Sequence, residues 1–161
     1  MAVRPLRLLG DPVLRTPCAP VERFDDALRR LATDLVDTVR LPGRAGLAAP
    51  QIGVGLAVFV YNVDGRLGCV VNPRVVVASG SDAGPEGCLS VPGLTARTTR
   101  ATEVVVTGVG VTGRPVTVEG TGELARCLAH ETDHLDGVLY LDRLDGAERR
   151  RVLAELRSRP R

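Results

Sequence analysis

The only two histidines of this chain, His130 and His134, stand four residues apart in the sequence His-Glu-Thr-Asp-His. Side chains four positions apart lie on the same face of a helix, so both imidazoles can bind one metal ion. Glu131 lies between them, and its carboxylate can reach the coordination position that the two histidines leave open. The spacing therefore predicts the metal site of a hydrolase, although a five-residue pattern also occurs in helices that bind no metal.

A catalytic site of this kind needs a third protein ligand, and no histidine remains to supply it. The acids further along, Glu148 and Glu155, lie in an arginine-rich tail that is poorly suited to a ligand. Cys88 is the better candidate, because the residues around it, EGCLS, are typical of a loop or strand end that presents a thiolate. The sequence thus predicts a metal site of Cys88, His130 and His134 with one open position.

Three segments of the chain resemble the peptide deformylase family, and they occur in the family's order. These segments are GRAGLAAPQ at residues 43–51, EGCLS at residues 86–90 and HETDHLDG at residues 130–137. The resemblance extends from about Leu8 to Leu144. Arg44 is a departure, because it replaces the first glycine of the family's Gly-x-Gly-Leu-Ala-Ala motif.

The resemblance implies that the chain removes the formyl group from the initiator N-formylmethionine of nascent polypeptides and releases formate. It implies Fe²⁺ as the metal, although one thiolate and two imidazoles also suit Zn²⁺, Ni²⁺ or Co²⁺. Glu131, between two ligands, is expected to accept a proton from water and to return it to the leaving amine. The resemblance assigns the contacts to the oxyanion to the Gln51 side-chain amide and the Leu89 backbone N–H.

The resemblance also indicates residues that bind or surround the substrate. Family members bind the peptide in extended form, so Gly46 and its neighbours, next to Arg44, are expected to hydrogen-bond to it as an added strand would. Cys127, three residues before the first histidine, is expected to pack beside the site as a small apolar group. Glu86 precedes the cysteine ligand, and Arg100 is a candidate partner for its carboxylate.

In the family, the pocket for the methionine side chain is apolar and draws partly on the helix before the first histidine. In this chain that stretch carries Glu123 and Arg126, and Ala129 stands where glutamine is common. Residues three apart on a helix can form an ion pair, so the sequence favours a solvated pair of Glu123 and Arg126. The alternative is that their charges alter the pocket.

Length and composition indicate a single catalytic domain over residues 1–161, since 44% hydrophobic content is enough for one core. The apolar stretches are too short to span a bilayer, and the N-terminus lacks the apolar block of a signal peptide, so we expect a cytoplasmic protein. The four cysteines are then expected to be reduced, with Cys18 and Cys69 in the core. A net charge of +2 gives no support for a nucleic-acid substrate, and we expect neither a DNA nor a membrane partner.

Periodicity predicts two helices. Apolar residues at helical spacing indicate a first helix over residues 25–40, which begins at Asp25. A metal-binding helix is expected over residues 120–137, with Thr121 as its cap and Gly137 as its terminator.

Valine-rich segments at residues 56–62, 69–78 and 103–109 predict strands, separated by turns at residues 64–65 and 110–113. The expected fold class is α+β, with partly antiparallel sheets packed around a central metal-binding helix and with an N-terminal and a C-terminal helix.

Residues 145–161 are expected to form a basic C-terminal helix or tail. It carries six arginines, which are Arg149, Arg150, Arg151, Arg157, Arg159 and Arg161. Because family members act on chains that emerge from the ribosome, the resemblance suggests contact between this segment and ribosomal RNA or an acidic ribosomal surface.

Two other interpretations stay open. A small metallopeptidase would share the His-Glu-x-x-His pattern, and activity on internal, unformylated peptide bonds would distinguish it. A protein that binds a metal or the ribosome without turnover is suggested by the charged residues Arg44, Glu123 and Arg126. Glu131 and Gln51 argue against this second interpretation, because a protein that only binds has no need of a general base.

Overall fold

The computed structural model describes residues 2–159 and has an α+β fold. In chain order its main elements are α1 (Asp26–Val39), β1 (Gly46–Ala48), β2 (Val58–Val63), β3 (Arg66–Ser79), β4 (Asp82–Cys88), β5 (Val91–Arg100), β6 (Glu103–Val109), β7 (Pro115–Thr121), α2 (Gly122–Leu135) and α3 (Gly146–Ser158). Strands β1-β2-β3-β6-β7, in that order, form an antiparallel sheet, and β4 and β5 form a separate antiparallel pair.

The part of the five-stranded sheet around β2 is buried on both faces, between α1 and α2. Successive side chains of a strand point to opposite faces, and β2 follows this rule. Its Val58 and Val60 pack in the cluster that contains the apolar face of α1, whereas Phe59 and Tyr61 pack in the cluster that contains α2. The central sheet therefore holds α2 in the interior.

A third apolar cluster lies beneath the β4–β5 pair. Val91 and Leu94 of β5 pack there against Tyr140, which follows α2, and against Val152 of α3. The hydroxyl of Tyr140 donates a hydrogen bond to the carbonyl oxygen of Leu94, over 3.0 Å. This cluster joins the β4–β5 pair to the C-terminal part of the chain.

The predicted helices are confirmed within two residues at each end. Asp25 is the N-cap of α1, and its carboxylate accepts hydrogen bonds from the backbone N–H groups of the first turn. Thr121 occupies the N-cap position of α2, but its side chain makes no capping hydrogen bond. Gly137 follows the end of α2 with a φ of 72°, in the left-handed region that favours glycine. The last helix, α3, begins after its N-cap Asp145 as expected, and Arg161 lies outside the described residues.

The three predicted strands correspond to β2, β3 and β6, and the expected turn between the first two is present, with positive φ at Asp64 and Gly65. Four strands, β1, β4, β5 and β7, were not predicted. β1 is only three residues long, and β4 and β5 contain glycine and proline, which are uncommon in strands. No helix within residues 2–159 combines the length and the apolar character needed to cross a membrane.

Candidate metal centre and substrate cleft

Cys88, His130 and His134 meet at one point between β4 and α2. Cys88 is the last residue of β4, and the histidines lie one turn apart on the buried face of α2. His134 Nε2 lies 3.3 Å from Cys88 Sγ and 3.2 Å from His130 Nε2. All three atoms lie within 4.8 Å of one another, so one ion could contact all three.

The carboxylate of Glu86 orients the first histidine. His130 Nδ1 lies 2.7 Å from Glu86 Oε1, so its N–H donates to that carboxylate and Nε2 is turned towards His134. Burial alone would raise the pKa of Glu86, but the hydrogen bonds from His130 and Arg100 hold this pKa at about 2. An ionised carboxylate behind a histidine is a common arrangement at metal sites, because it fixes the tautomer and the ring orientation.

Two buried guanidinium groups hold Glu86 in place. Arg100 donates to both carboxylate oxygens, from Nε to Oε2 over 3.0 Å and from Nη2 to Oε1 over 2.6 Å, which confirms it as a partner of Glu86. Arg126 Nη1 donates to Glu86 Oε2 over 3.0 Å and to the carbonyl oxygen of Thr98 over 2.9 Å. Each oxygen of this carboxylate therefore accepts two hydrogen bonds.

The position of Arg126 corrects one prediction. The solvated ion pair of Glu123 and Arg126 does not form, because Arg126 is 8% exposed and its guanidinium lies against the β4–β5 pair, while Glu123 remains exposed. Spacing along α2 would allow the local pair. The buried charge of Glu86, however, requires hydrogen-bond donors, and Arg126 supplies one of them from the inner side of α2.

Glu131 lies between the two histidines in sequence and is 3% exposed. Burial raises its pKa to about 7. Its side chain packs against the backbone of Gly46 in β1, so closely that a Cβ atom at that position would lie 2.8 Å from Glu131 Cδ. A carboxyl group with a pKa near neutrality suits proton transfer in both directions at physiological pH.

Gln51 reaches the cluster from the short helical turn after β1. Its Oε1 accepts a hydrogen bond from the Ala48 N–H over 2.9 Å, and its Nε2 donates to Ser90 Oγ over 3.2 Å and lies 3.6 Å from Cys88 Sγ. The Ser90 N–H also donates to Cys88 Sγ, over 3.4 Å. Leu89, between the two, lines the cleft. Gln51 is 1% exposed, so its amide is held in a buried position beside Cys88 Sγ.

A cleft of about 600 Å³ opens beside the cluster. One wall contains β1 and the residues before it, another contains residues 91–95 of β5, and the floor contains α2 with Cys127, His130 and Glu131. Arg44 lines the cleft, and its Nη1 donates to the carbonyl oxygen of Thr38 in α1 over 2.9 Å. The predicted residues of the site are thus brought together around one cavity.

The Cys127 thiol donates to the carbonyl oxygen of Ala45 over 3.3 Å, and burial raises its pKa well above the ordinary value. All four cysteines are free, and Cys18 and Cys69 pack against the core as expected.

A larger groove of about 1140 Å³ lies elsewhere, between the N-terminal segment and α1. Neither a histidine nor a cysteine lines this groove. The smaller cleft, which Cys88 and His130 line, is therefore the candidate catalytic site.

Comparison with known proteins identifies the family. The family model described as polypeptide deformylase matches residues 3–150. The chain belongs to the peptide deformylase family. A peptide deformylase of Acidothermus cellulolyticus is 54% identical over 158 residues, which cover 98% of this chain and 88% of that protein. Peptide deformylase 2 of Streptomyces coelicolor is 51% identical, over 96% of this chain and 89% of that protein.

Solved structures of the family share the fold. The peptide deformylase of Thermus thermophilus superposes with a TM-score of 0.91 at 41% identity, covering 97% of this chain and 94% of the other. The peptide deformylase of Legionella pneumophila has a TM-score of 0.88 at 39% identity, covering 99% and 100%. The chain is therefore a hydrolase of the deformylase family.

The donor set of this family member fits a divalent transition-metal ion. Two imidazole nitrogens that each lie about 2.1 Å from one ion are roughly 3.4 Å apart in tetrahedral geometry, close to the 3.2 Å between His130 Nε2 and His134 Nε2. Within residues 2–159, two buried side-chain polar atoms lack a hydrogen-bond partner, and both belong to this site: Glu131 Oε2 and His134 Nδ1.

Electrostatics at the site also favour a cation. Burial lowers the pKa of His130, but the contacts with Cys88 and Glu86 outweigh burial and raise it to about 10. Burial, followed by the neighbouring charge of His130, lowers the pKa of His134 well below its usual range. A proton on His130 thus disfavours a second proton on His134, and a metal ion would compete with protons for both nitrogens.

Sequence reasoning assigned no role to two residues that support the site. Ser90 contacts both Gln51 and Cys88, and only its position two residues after the cysteine pointed to it. Asp133 accepts a hydrogen bond from Arg100 Nη1 over 2.6 Å, on the side of that guanidinium opposite Glu86. Its place inside the histidine motif, three residues after His130, was the available signal.

Proposed function

We propose that this protein is a metal-dependent deformylase that removes the formyl group from the initiator N-formylmethionine of nascent polypeptides and releases formate. One observation carries the proposal: Cys88 Sγ and both Nε2 atoms converge beside a buried Glu131, at a cleft bordered by β1. The family match over residues 3–150 supports a single catalytic domain. It also supports formylated peptides as the substrate.

The metal is proposed to be Fe²⁺, held by Cys88, His130 and His134, and Zn²⁺, Ni²⁺ or Co²⁺ could replace it. Bound by these three residues, a divalent ion would lower the pKa of a water molecule and polarise a carbonyl oxygen. The protein's own contribution is rigidity. Glu86, held by two guanidinium groups, keeps the His130 ring in one orientation, and the Ser90 N–H stabilises the Cys88 thiolate.

Glu131 is proposed to be the general base and then the general acid. Its Oε2, buried and without a hydrogen-bond partner in the described residues, is the atom that accepts the proton of water. The same oxygen then returns the proton to the leaving amine. A pKa of about 7, raised by burial, allows both steps near neutral pH.

Gln51 Nε2 and the Leu89 N–H are proposed to donate hydrogen bonds to the oxyanion that forms when the formyl carbonyl is attacked. Gln51 is suited to this role because its Oε1 is fixed by the Ala48 N–H, which directs Nε2 towards the cluster. Losing one such donor typically costs about 3 kcal/mol of transition-state stabilisation.

The peptide is proposed to bind in extended form along β1. This strand pairs with β2 on one side only, so the other edge, at Gly46, has backbone groups available for an added strand. Arg44, Glu86 and Cys127 line the same cleft. The charges of Arg44 and Arg126 are directed away from the substrate, towards the Thr38 carbonyl and Glu86, which favours an active enzyme over a protein that only binds.

We further infer a cytoplasmic location. The partner is proposed to be the ribosome, contacted by the exposed arginines of α3. The basic character of residues 145–161 supports this proposed contact. A truncation after Leu144 that left ribosome binding unchanged would remove the proposal.

The first test is formate release from a formyl-methionyl tripeptide by anaerobically prepared, iron-loaded protein. The Glu131→Gln variant should retain its metal and lose about 10²- to 10⁴-fold in kcat, because general acid–base catalysis contributes about that much. A variant as active as the wild type would remove the role of Glu131. Cleavage of internal bonds in unformylated peptides would indicate a metallopeptidase, and metal-loaded protein without turnover would indicate a binding protein.

A further inference from the structure

Helix α3 is hydrogen-bonded through its side chains to the backbone of β5. Arg151 Nη2 donates to the carbonyl oxygen of Thr95 over 2.9 Å, and Glu148 Oε1 accepts from the Arg97 N–H over 2.8 Å. Strand β5 pairs with β4 along one edge only. Side chains of α3 therefore occupy positions along the other edge that a neighbouring strand would otherwise fill.

Arg159, at the C-terminal end of α3, makes a second attachment. Its Nη1 donates to the carbonyl oxygen of Pro92 over 2.6 Å, and its Nη2 donates to that of Gly93 over 2.9 Å. The planar guanidinium thus holds two successive carbonyl groups at once, which an ammonium group could not do with the same geometry. Glu155, one turn earlier in α3, lies 3.2 Å from Arg159 Nη2 and steadies the side chain.

The backbone that α3 holds is also a wall of the substrate cleft. Pro92, Gly93 and Thr95, whose carbonyl groups accept from the two arginines, all line that cleft. Their segment follows the metal ligand Cys88 by only a few residues. A displacement of this part of β5 would change the width of the cleft without breaking the metal cluster.

The arginines of α3 fall into two sets. Arg151 and Arg159 are bonded to β5, whereas Arg149, Arg150 and Arg157 are exposed and make no hydrogen bond to β5 within the described residues. The helix itself is anchored by apolar contacts, with Val152 1% exposed in the core beneath β5. Apolar contacts thus attach α3 to the protein in addition to the polar bonds, and the polar bonds hold the backbone of β5.

We propose that Arg151 and Arg159 are positioning residues for the peptide-binding cleft, because they hold the backbone of residues 92–95, which forms one wall of that cleft. Hydrogen bonds with a charged donor are stronger than neutral ones. Without them, residues 92–95 would have to be ordered when the peptide binds, at a cost in affinity. The proposal rests on the deformylase function proposed above for the same cleft.

The test compares two double variants that each remove two positive charges from α3: Arg151→Ala/Arg159→Ala, and the control Arg150→Ala/Arg157→Ala. Initial rates on a formyl-methionyl tripeptide, metal content and hydrogen exchange of the amides of residues 92–97 are measured for both. The first variant should show a KM raised roughly three- to tenfold, with unchanged kcat and metal content and with faster exchange. The control should match the wild type.

Equal KM and equal exchange in the two double variants would overturn the proposal. So would a loss of kcat or metal in the first variant, since the arginines would then support the whole fold and not the cleft. If the wild type itself released no formate, the proposed function would fail, and hydrogen exchange would still decide whether the arginines hold β5.

Discussion

Gly46 leaves no space for a side chain beside the proposed general base. A Cβ atom there would lie 2.8 Å from both Glu131 Cδ and Cys127 Sγ, and closer still to Glu131 Oε1. Non-bonded heavy atoms are comfortable at about 3.5–4.0 Å, so the Gly46→Ala variant must displace Glu131 by roughly 1 Å or push β1 away from α2. Both elements are buried, and neither can move without disturbing the sheet.

A displacement of about 1 Å at a catalytic group can cost about 100-fold in rate. We therefore expect Gly46→Ala to lower kcat/KM for a formyl-methionyl tripeptide by about 100-fold and to destabilise the fold by about 1–3 kcal/mol, as overpacking does. Steady-state formate release and urea denaturation measure the two effects, and metal content must stay unchanged. Neither this residue nor the control has a positive φ, so backbone strain does not contribute.

Gly55→Ala is the matched control, because Gly55 is exposed and a Cβ atom there has no neighbour within 4 Å. It should leave both activity and stability at the wild-type level. If Gly46→Ala released formate as fast as Gly55→Ala, the tight contact with Glu131 would have no part in catalysis.

Three further predictions concern ionisable side chains, buried and exposed. Arg126→Met removes a donor from Glu86 and should lower the free energy of unfolding, measured in urea, by about 1–3 kcal/mol. The side chain of Arg143 is 50% exposed, so the control Arg143→Met should lower it by less than about 1 kcal/mol. Equal losses in the two variants would contradict the importance of the buried pair of Arg126 and Glu86. The hydrogen bond from Arg151, followed by that from the Arg97 N–H, lowers the pKa of Glu148 to about 2. Ionised Glu148 therefore stabilises the folded protein fully above the unfolded pKa of about 4.3, and this stabilisation is lost as the pH falls towards 2. The melting temperatures of the wild type and Glu148→Gln should therefore differ at pH 6 and converge near pH 2, and a difference that persisted at pH 2 would exclude ionised Glu148 as its source. Burial raises the pKa of the Cys69 thiol to about 12, so a thiol reagent at pH 8 should label Cys69 only after the protein unfolds. Mass spectrometry measures the labelling, and rapid labelling of Cys69 in the native protein would contradict this prediction.

The candidate metal-binding cluster was predictable because the positions of two of its residues depend only on local geometry. The rise and rotation of a helix place His130 beside His134 whatever surrounds them. The valine-rich strands were predictable for a related reason, since the continuous apolar run of β2 reflects a strand that is buried on both faces. Cys88 required elimination of the other candidates, and the roles of Gln51 and Leu89 came from resemblance to the family. Strand β1 carried too few residues to produce a pattern, although Gly46 within it adjoins Glu131.

The solvated pair of Glu123 and Arg126 was wrongly predicted, because that local ion pair is weaker than the contact between Arg126 and the buried Glu86. An ion pair at i, i+3 on an exposed helix stabilises it by about 0.2–0.5 kcal/mol. A buried carboxylate left without donors costs several times that amount, and Glu86 is separated from Arg126 by 40 residues. The same reasoning applies to α3. The sequence suggested that its arginines form one basic surface, but Arg151 and Arg159 donate hydrogen bonds to backbone carbonyl groups of β5. In both cases an arginine donates hydrogen bonds to an acceptor that folding brings near it, either a buried carboxylate or the carbonyl groups of a strand edge. These acceptors are far away in the sequence, so no local pattern indicates them.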